Sequence, residues 1–153
     1  MEMNSMKNFR VENIMLPRAE IGGLVVAFIL QRFVGILSLK DFFLASIIGW
    51  LLLSAGILLN GWAVFEADTM NIKHPSRLIM DGAYCKTRNP MLIGWMALYL
   101  GVSFIFDLPW AILLFPLVFI YNQNIDIKNE EQQLLKKFGP AYEEYCKRVP
   151  RYF

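Results

Sequence analysis

Long runs of apolar residues constrain this chain more than any other feature of its sequence. Residues 21–39 and 42–65 contain only a few polar side chains, and two shorter apolar runs follow at residues 91–106 and 108–121. The first two runs, as α-helices rising 1.5 Å per residue, reach about 28 and 36 Å, close to a hydrocarbon thickness of about 30 Å. Pro109, directly after the Asp107-Leu108 junction, suits a helix start, so the two shorter runs predict a tight helical hairpin.

The composition excludes several classes of protein. Hydrophobic residues make up 56% of the 153 residues and charged residues 18%, against roughly 45–50% and about 25% in an average soluble domain. A core of this size would not cover such long apolar runs, and a disordered chain would lack them. We therefore expect an all-α integral membrane protein with about four transmembrane helices, embedded among membrane lipids.

The charge distribution predicts the orientation. Thirteen of the fifteen Lys and Arg residues precede the first apolar run, lie between the second and third, or follow the fourth. By the positive-inside rule, a multi-pass protein of this pattern has both termini and its long second loop in the cytosol. The net charge of +2, with acidic residues interleaved, gives no indication of nucleic-acid binding.

The sequence contains too few Cys and His residues for a structural metal site. Cys85 and Cys146 form no CxxC pair, and His74 is the single histidine. A structural zinc site needs four such ligands, so we expect no metal.

Residues 126–138 have the periodicity of a helix with an apolar stripe of Ile127, Leu134, Leu135 and Phe138, and Gly139-Pro140 predicts the end of this helix.

Two polar motifs flank the hairpin. The first reads Asp81-Gly-Ala-Tyr-Cys-Lys-Thr-Arg-Asn-Pro-Met-Leu-Ile-Gly94, and the second consists of Glu130-Glu131 followed by Phe138-Gly-Pro-Ala-Tyr-Glu-Glu-Tyr-Cys-Lys-Arg-Val-Pro150. Their order and spacing resemble those of the integral-membrane S-adenosylmethionine methyltransferases, a family that includes isoprenylcysteine carboxyl methyltransferases and phospholipid N-methyltransferases. The resemblance covers about residues 69–150.

This resemblance implies a division of one membrane domain, residues 1–153. Residues 1–68 would supply N-terminal membrane helices, and residues 69–153 the catalytic half, in which a cytosolic C-terminal helix completes a pocket for S-adenosyl-L-methionine. The family pattern places cofactor contacts on Ser76, Arg77, Leu78, Ile79, Tyr84, Asn89, Pro90, Met91, Leu92 and Glu130. The predicted catalytic residues are Arg88, Asp126, Glu130 and Glu131.

The resemblance implies transfer of a methyl group to a hydrophobic or lipid-like acceptor, as in isoprenylcysteine carboxyl methyltransferases. Asp126, however, stands where the carboxyl-methylating members have an arginine. An aspartate repels a carboxylate and favours a cationic group. A phospholipid amine or a small thiol therefore remains an alternative acceptor.

Each motif alone also has a structural explanation. Asn89-Pro90 is a common helix start, and Glu130 and Glu131 suit a solvated helix face paired with lysine. Two other classes of protein thus stay open. One is a membrane reductase that uses NADPH, although such proteins are much larger, and the other is a non-enzymatic membrane adaptor. Saturable binding of either cofactor separates the enzymes from the adaptor.

Overall fold

The protein is all-helical wherever its structure is described. The computed structural model describes residues 16–34, 38, 43–67 and 77–152, and no strand occurs among them. The helices are α1 (Arg18–Val34), α2 (Phe43–Ala67), α3 (Pro90–Ile105), α4 (Pro109–Tyr121), α5 (Ile127–Phe138) and α6 (Pro140–Arg148). A 3-10 turn, Gly82–Cys85, precedes α3, and a π-helical turn, Asn122–Asp126, joins α4 to α5.

Two of the described helices are long and apolar enough to cross a membrane. They are α2, with 25 residues, and the continuous helix Pro109–Phe138, with 30 residues, whereas α3 is apolar but shorter. Large apolar side chains also remain exposed on these helices, among them Phe43, Leu58 and Leu113, each more than 60% exposed. Such a surface suits lipid rather than water. The structure thus supports a membrane protein, while the four-span topology stays a prediction.

Proline and glycine set the helix boundaries. Pro90 and Pro109 are the first residues of α3 and α4, where a missing N–H costs no hydrogen bond. Gly139, at φ +51°, separates α5 from α6 as expected. The predicted boundaries of α2, α3 and α4 differ from the observed ones by at most two residues. Helix α1 begins three residues before the predicted residue 21, directly after Pro17, and the predicted end at residue 39 lies outside the described residues.

Glycines let α2 and α3 pack closely. A Cβ atom on Gly101 would lie 2.7 Å from the backbone nitrogen of Leu53 and 2.9 Å from the carbonyl oxygen of Gly49. A Cβ on Gly56 would lie 2.7 Å from the carbonyl oxygen of Gly94. Small residues at such positions allow two membrane helices to touch backbone to backbone. At Gly61, by contrast, no other group of the described residues lies within 4 Å of an added Cβ, so this glycine is not part of such a contact.

The helix after α4 continues further than the sequence indicates. The π-helical turn carries the chain from α4 into α5 without a break, so that one helix runs from Pro109 to Phe138. About 20 helical residues suffice to cross a hydrocarbon core, so this helix is longer than a single crossing needs, and its last ten residues are rich in charge. Leu134 and Phe138 pack against α6, whereas Leu135 is 43% exposed and does not join the predicted apolar stripe.

Candidate functional site

A cleft lies where the loop before α3, the charged helix α5 and the short helix α6 meet. Its empty volume is about 550 Å³, which includes its opening to solvent. The cleft is a narrow slot that opens to solvent. Eleven residues line it: Arg77, Leu78, Ile79, Tyr84, Arg88, Asn89, Glu130, Glu131, Leu134, Tyr142 and Tyr145.

The loop before α3 is tied to the C-terminal part of the chain by three hydrogen bonds. The Arg88 N–H donates to the Pro150 carbonyl oxygen at 3.0 Å, and the Thr87 hydroxyl donates to the Arg151 carbonyl oxygen at 2.8 Å. The Tyr145 hydroxyl donates to the Tyr84 carbonyl oxygen at 2.7 Å. Both polar motifs of the sequence thus form one wall of the cleft.

Two arginines share the Glu131 carboxylate. The Arg88 Nη1 lies 3.1 Å from Glu131 Oε1, and Arg151 contacts the same carboxylate through Nη2 at 2.6 Å from Oε2 and Nε at 3.1 Å from Oε1. Arg88 Nη1 also lies 2.8 Å from Cys146 Sγ. The Arg88 and Glu131 side chains are only 16% and 20% exposed, which strengthens their attraction compared with a surface pair.

The cleft also contains buried hydrogen-bond donors without a partner. Arg88 Nε and Asn89 Nδ2 are buried and have no acceptor in the described part of the chain. Asn89 is only 8% exposed and directly precedes α3. An unpaired buried donor costs roughly 1–3 kcal/mol. Both groups therefore point to a ligand that brings an acceptor.

The Glu130 carboxyl is the most perturbed acid of the cleft. Burial raises its pKa from 4.5 to about 7, and the negative charges of Glu131 and Asp126 add to that shift. Burial and the charge of Glu130 also raise the pKa of the Tyr84 hydroxyl, which therefore remains a donor at neutral pH. A carboxyl that titrates near neutral pH inside a cleft is typical of functional sites.

Aromatic and aliphatic groups complete the cleft. The Tyr142 and Tyr145 rings lie 6.1 Å apart and form a buried cluster with Val149, against which Leu78 and Leu134 pack. A slot with an apolar wall and a few converging polar groups suits a flat, polar molecule. The described residues contain no group of three or more His, Cys, Asp or Glu side chains placed to hold a metal ion.

The structure brings most of the predicted site residues together. Eight of them line the cleft: Arg77, Leu78, Ile79, Tyr84, Arg88, Asn89, Glu130 and Glu131. Pro90, Met91, Leu92 and Asp126 do not, and Met91 packs against Ala63 and Val64 of α2. Ser76 lies outside the described residues. The roles assigned to all these residues remain predictions.

Other residues of this region were not predicted as site residues. Leu134, Tyr142 and Tyr145 line the cleft, and Arg151 holds Glu131. The two tyrosines belong to the second motif, and the spacing of that motif could have identified them as site residues. Arg151 follows the last motif residue, Pro150, and its sequence context gives no indication of a partner twenty positions earlier.

Comparison with known proteins places the chain in a family. Residues 42–141 match the phospholipid methyltransferase family. A stretch of 73 residues is 36% identical to the protein-S-isoprenylcysteine O-methyltransferase of Schizosaccharomyces pombe, covering 48% of this chain and 31% of that enzyme. The match thus spans less than a third of the yeast protein's length. No solved structure matches. Since the family match covers well over half of the chain and includes both the loop before α3 and the Glu130-Glu131 pair, this chain belongs to the phospholipid methyltransferase family.

Proposed function

We propose that this chain is an S-adenosyl-L-methionine-dependent methyltransferase that acts on a lipid-like acceptor at the membrane. The observation that carries the proposal is the cleft, whose lining combines two buried donors without partners among the described residues, Arg88 Nε and Asn89 Nδ2, with the Glu130 carboxyl, whose pKa burial raises to about 7. Family membership supports methyl transfer as the reaction. The identity of the cofactor and its placement are the parts that need an experiment.

The side chains of the cleft fit this cofactor. Its amino-acid end carries a carboxylate, which suits the unpaired Arg88 Nε and Asn89 Nδ2 donors, and an ammonium, which suits the Glu130 carboxylate. Its flat adenine suits the apolar wall of the cleft that Leu78, Leu134 and the two tyrosines form. When bound, S-adenosylmethionine supplies an electrophilic methyl group on a sulfonium.

The acceptor that the charges favour is a lipid amine. Glu131 engages both Arg88 and Arg151, and the remaining Arg88 Nε is assigned to the cofactor, so neither of these two arginines is left to bind a substrate carboxylate. Asp126 acts on Glu130 with its negative charge and lies about one helical turn nearer to the apolar part of the helix. Negatively charged side chains along the path of the acceptor attract a cationic headgroup and repel a carboxylate.

In this proposal the residues of the chain orient the reactants and accept the proton that the acceptor amine loses. Methyl transfer needs the acceptor nitrogen in line with the methyl group and the sulfur, in a site from which water is excluded. A protonated amine must lose its proton before it forms the new carbon–nitrogen bond, and we assign that proton to the acidic groups Asp126 and Glu130, of which Glu130 lines the cleft. The carbon–sulfur bond breaks as the new bond forms.

We also propose a multi-pass topology in which both termini lie in the cytosol. The positive residues of the N-terminus, the second loop and the C-terminal part support this orientation. The cleft then faces the cytosol, from which a soluble cofactor enters, while the acceptor reaches it from the membrane. The exposed apolar side chains of α2 and α4 support a lipid environment for the helices below the cleft.

Calorimetric titration of the detergent-purified protein with S-adenosylhomocysteine tests the cofactor site without knowledge of the acceptor. We expect saturable binding with a dissociation constant on the order of micromolar, and no binding of NADPH. Glu130→Gln removes the charge that attracts the ammonium and should weaken the affinity about tenfold. Glu144→Gln, on the exposed side of α6, is the matched control and should bind like the wild type.

Two results would contradict this placement. A folded wild-type protein that binds no S-adenosylhomocysteine would remove the cofactor assignment. Binding that is unchanged in Glu130→Gln would place the cofactor elsewhere. Retained helicity by circular dichroism and a cooperative melting transition show that a variant is folded.

A further inference from the structure

The segment formed by residues 149–152, hereafter the tail segment, contacts two elements of the cleft. The Pro150 and Arg151 carbonyl oxygens accept hydrogen bonds from the Arg88 N–H and the Thr87 hydroxyl. The Arg151 side chain meets α5 at Glu131. The tail segment therefore bridges the loop before α3 and the charged helix, two elements that line the cleft.

The Arg151 guanidinium is itself held in place. Its Nη1 donates to Gln123 Oε1 at 3.2 Å, and the Gln123 side-chain amide donates to the Tyr152 hydroxyl. The Tyr152 ring lies 6.0 Å from the ring of Phe119 on α4. The guanidinium thus has one orientation fixed by the π-helical turn and by the tail segment, and its planar fork matches the Glu131 carboxylate.

Glu131 in turn sets the orientation of Arg88. Arg151 occupies both carboxylate oxygens of Glu131, which leaves Arg88 a single contact through Nη1. In this arrangement the Arg88 Nε remains buried and unpaired. Without Arg151, the carboxylate is free to form a bidentate pair with Arg88, which would turn Nε towards Glu131 and away from a ligand.

We propose that Arg151 is a positioning residue, which holds Glu131 so that Arg88 presents its free donor to the amino-acid end of the cofactor. This inference rests on the proposed function and adds a role for the tail segment. Arg151 is expected to act on cofactor affinity through its two neighbours, without contact of its own. Its effect should therefore depend on Glu131 and on the carboxylate end of the ligand.

Two ligands separate positioning from general structural support. S-adenosylhomocysteine has the amino-acid end, whereas 5′-methylthioadenosine keeps the adenosine and the sulfur but lacks both the ammonium and the carboxylate. Arg151→Ala should weaken binding of S-adenosylhomocysteine about tenfold and leave binding of 5′-methylthioadenosine unchanged. Arg151→Lys retains the charge but not the fork, and should give an intermediate loss for S-adenosylhomocysteine alone.

Matched variants complete the experiment. Arg148→Ala removes a nearby arginine that only approaches Glu144, at 3.9 Å, and should bind both ligands like the wild type. In a Glu131→Gln background, Arg151→Ala should add little further loss, because residues that act through one contact are not additive. Should Arg151→Ala fail to fold, the same comparisons are made with Arg151→Lys.

The outcomes distinguish this inference from the proposed function. A wild-type protein that binds no S-adenosylhomocysteine overturns the proposed function and this inference with it. If Arg151→Ala and Arg151→Lys bind S-adenosylhomocysteine as tightly as the wild type does, the inference alone is overturned. Equal weakening for both ligands also overturns it, since that result shows structural support of the whole cleft. Loss confined to S-adenosylhomocysteine and dependent on Glu131 confirms it.

Discussion

Adjacent glutamates have different environments in this cleft. The Glu131 carboxylate is held by two guanidinium groups, whereas no cation contacts Glu130 among the salt bridges of the described residues. Burial and the neighbouring negative charges therefore raise the pKa of Glu130 to about 7. The Glu130 charge thus changes within the physiological pH range, while Glu131 serves as a fixed anchor for both arginines.

This difference predicts a pH-dependent affinity. The deprotonated Glu130 attracts the cofactor's ammonium, so affinity for S-adenosylhomocysteine should rise about tenfold between pH 5.5 and pH 8. Glu130→Gln, which has no charge to titrate, should show a nearly constant affinity over that range. Calorimetric titrations at several pH values measure both profiles. Parallel profiles for the two proteins would show that another group controls the pH dependence.

The same pKa shift has an opposite effect on stability. A carboxyl whose pKa is about 7 when folded and 4.5 when unfolded binds more protons in the folded state between these values. Its contribution to stability is therefore fully present below pH 4.5 and is lost as the pH rises through 7. The melting temperature of the wild type should accordingly fall relative to that of Glu130→Gln over this interval.

At the scale of helices, the α2–α3 contact fixes the position of the loop before α3. Gly49 and Gly101 allow the two backbones to touch, and the same pair of helices meets again at Gly56 and Gly94, nearer to Asn89. Because a membrane offers little hydrophobic force between helices, close packing must supply most of this association. The Asn89 side chain depends on this contact for its place at the cleft.

Gly101→Ala should therefore destabilise the protein. Its new methyl group would lie 2.7 Å from the Leu53 backbone nitrogen, so the helices must move apart, at a cost of about 1–3 kcal/mol. Gly61→Ala is the matched control, because no group of the described residues lies within 4 Å of its added Cβ and alanine favours a helix. Thermal melts in detergent compare the two. A Gly101→Ala protein as stable as Gly61→Ala would contradict the packing account.

Local signals in the sequence were sufficient for most helix boundaries. Pro90, Pro109 and Gly139 mark them because each residue restricts or permits one backbone conformation. The continuous helix from α4 into α5 was not predicted, because the change from apolar to charged residues suggested a break. No proline or glycine occurs at the π-helical turn to end the helix there. Polarity indicates the surroundings of a helix, and not where it ends.

Over the whole molecule, the order of two motifs predicted a cleft that neither motif indicates alone. The family pattern identified Arg88, Glu130 and Glu131, and the structure places all three on one cleft. The contacts of Arg151 could not be predicted from the sequence, because Glu131 and Gln123 become its neighbours only when the tail segment packs against α5 and the π-helical turn. Contacts of this kind depend on tertiary structure, which periodicity and spacing do not describe.

The central claim is methyl transfer from this cleft to a lipid amine. Its most direct test uses the purified protein in vesicles, with S-adenosylmethionine labelled on its methyl group and label counted in the extracted lipid. We expect label in vesicles that contain phosphatidylethanolamine, and about a tenth of that amount or less with Glu130→Gln. Label only on an added prenylcysteine would contradict the amine assignment. No label in any lipid, from a protein that binds S-adenosylhomocysteine, would contradict the claim itself.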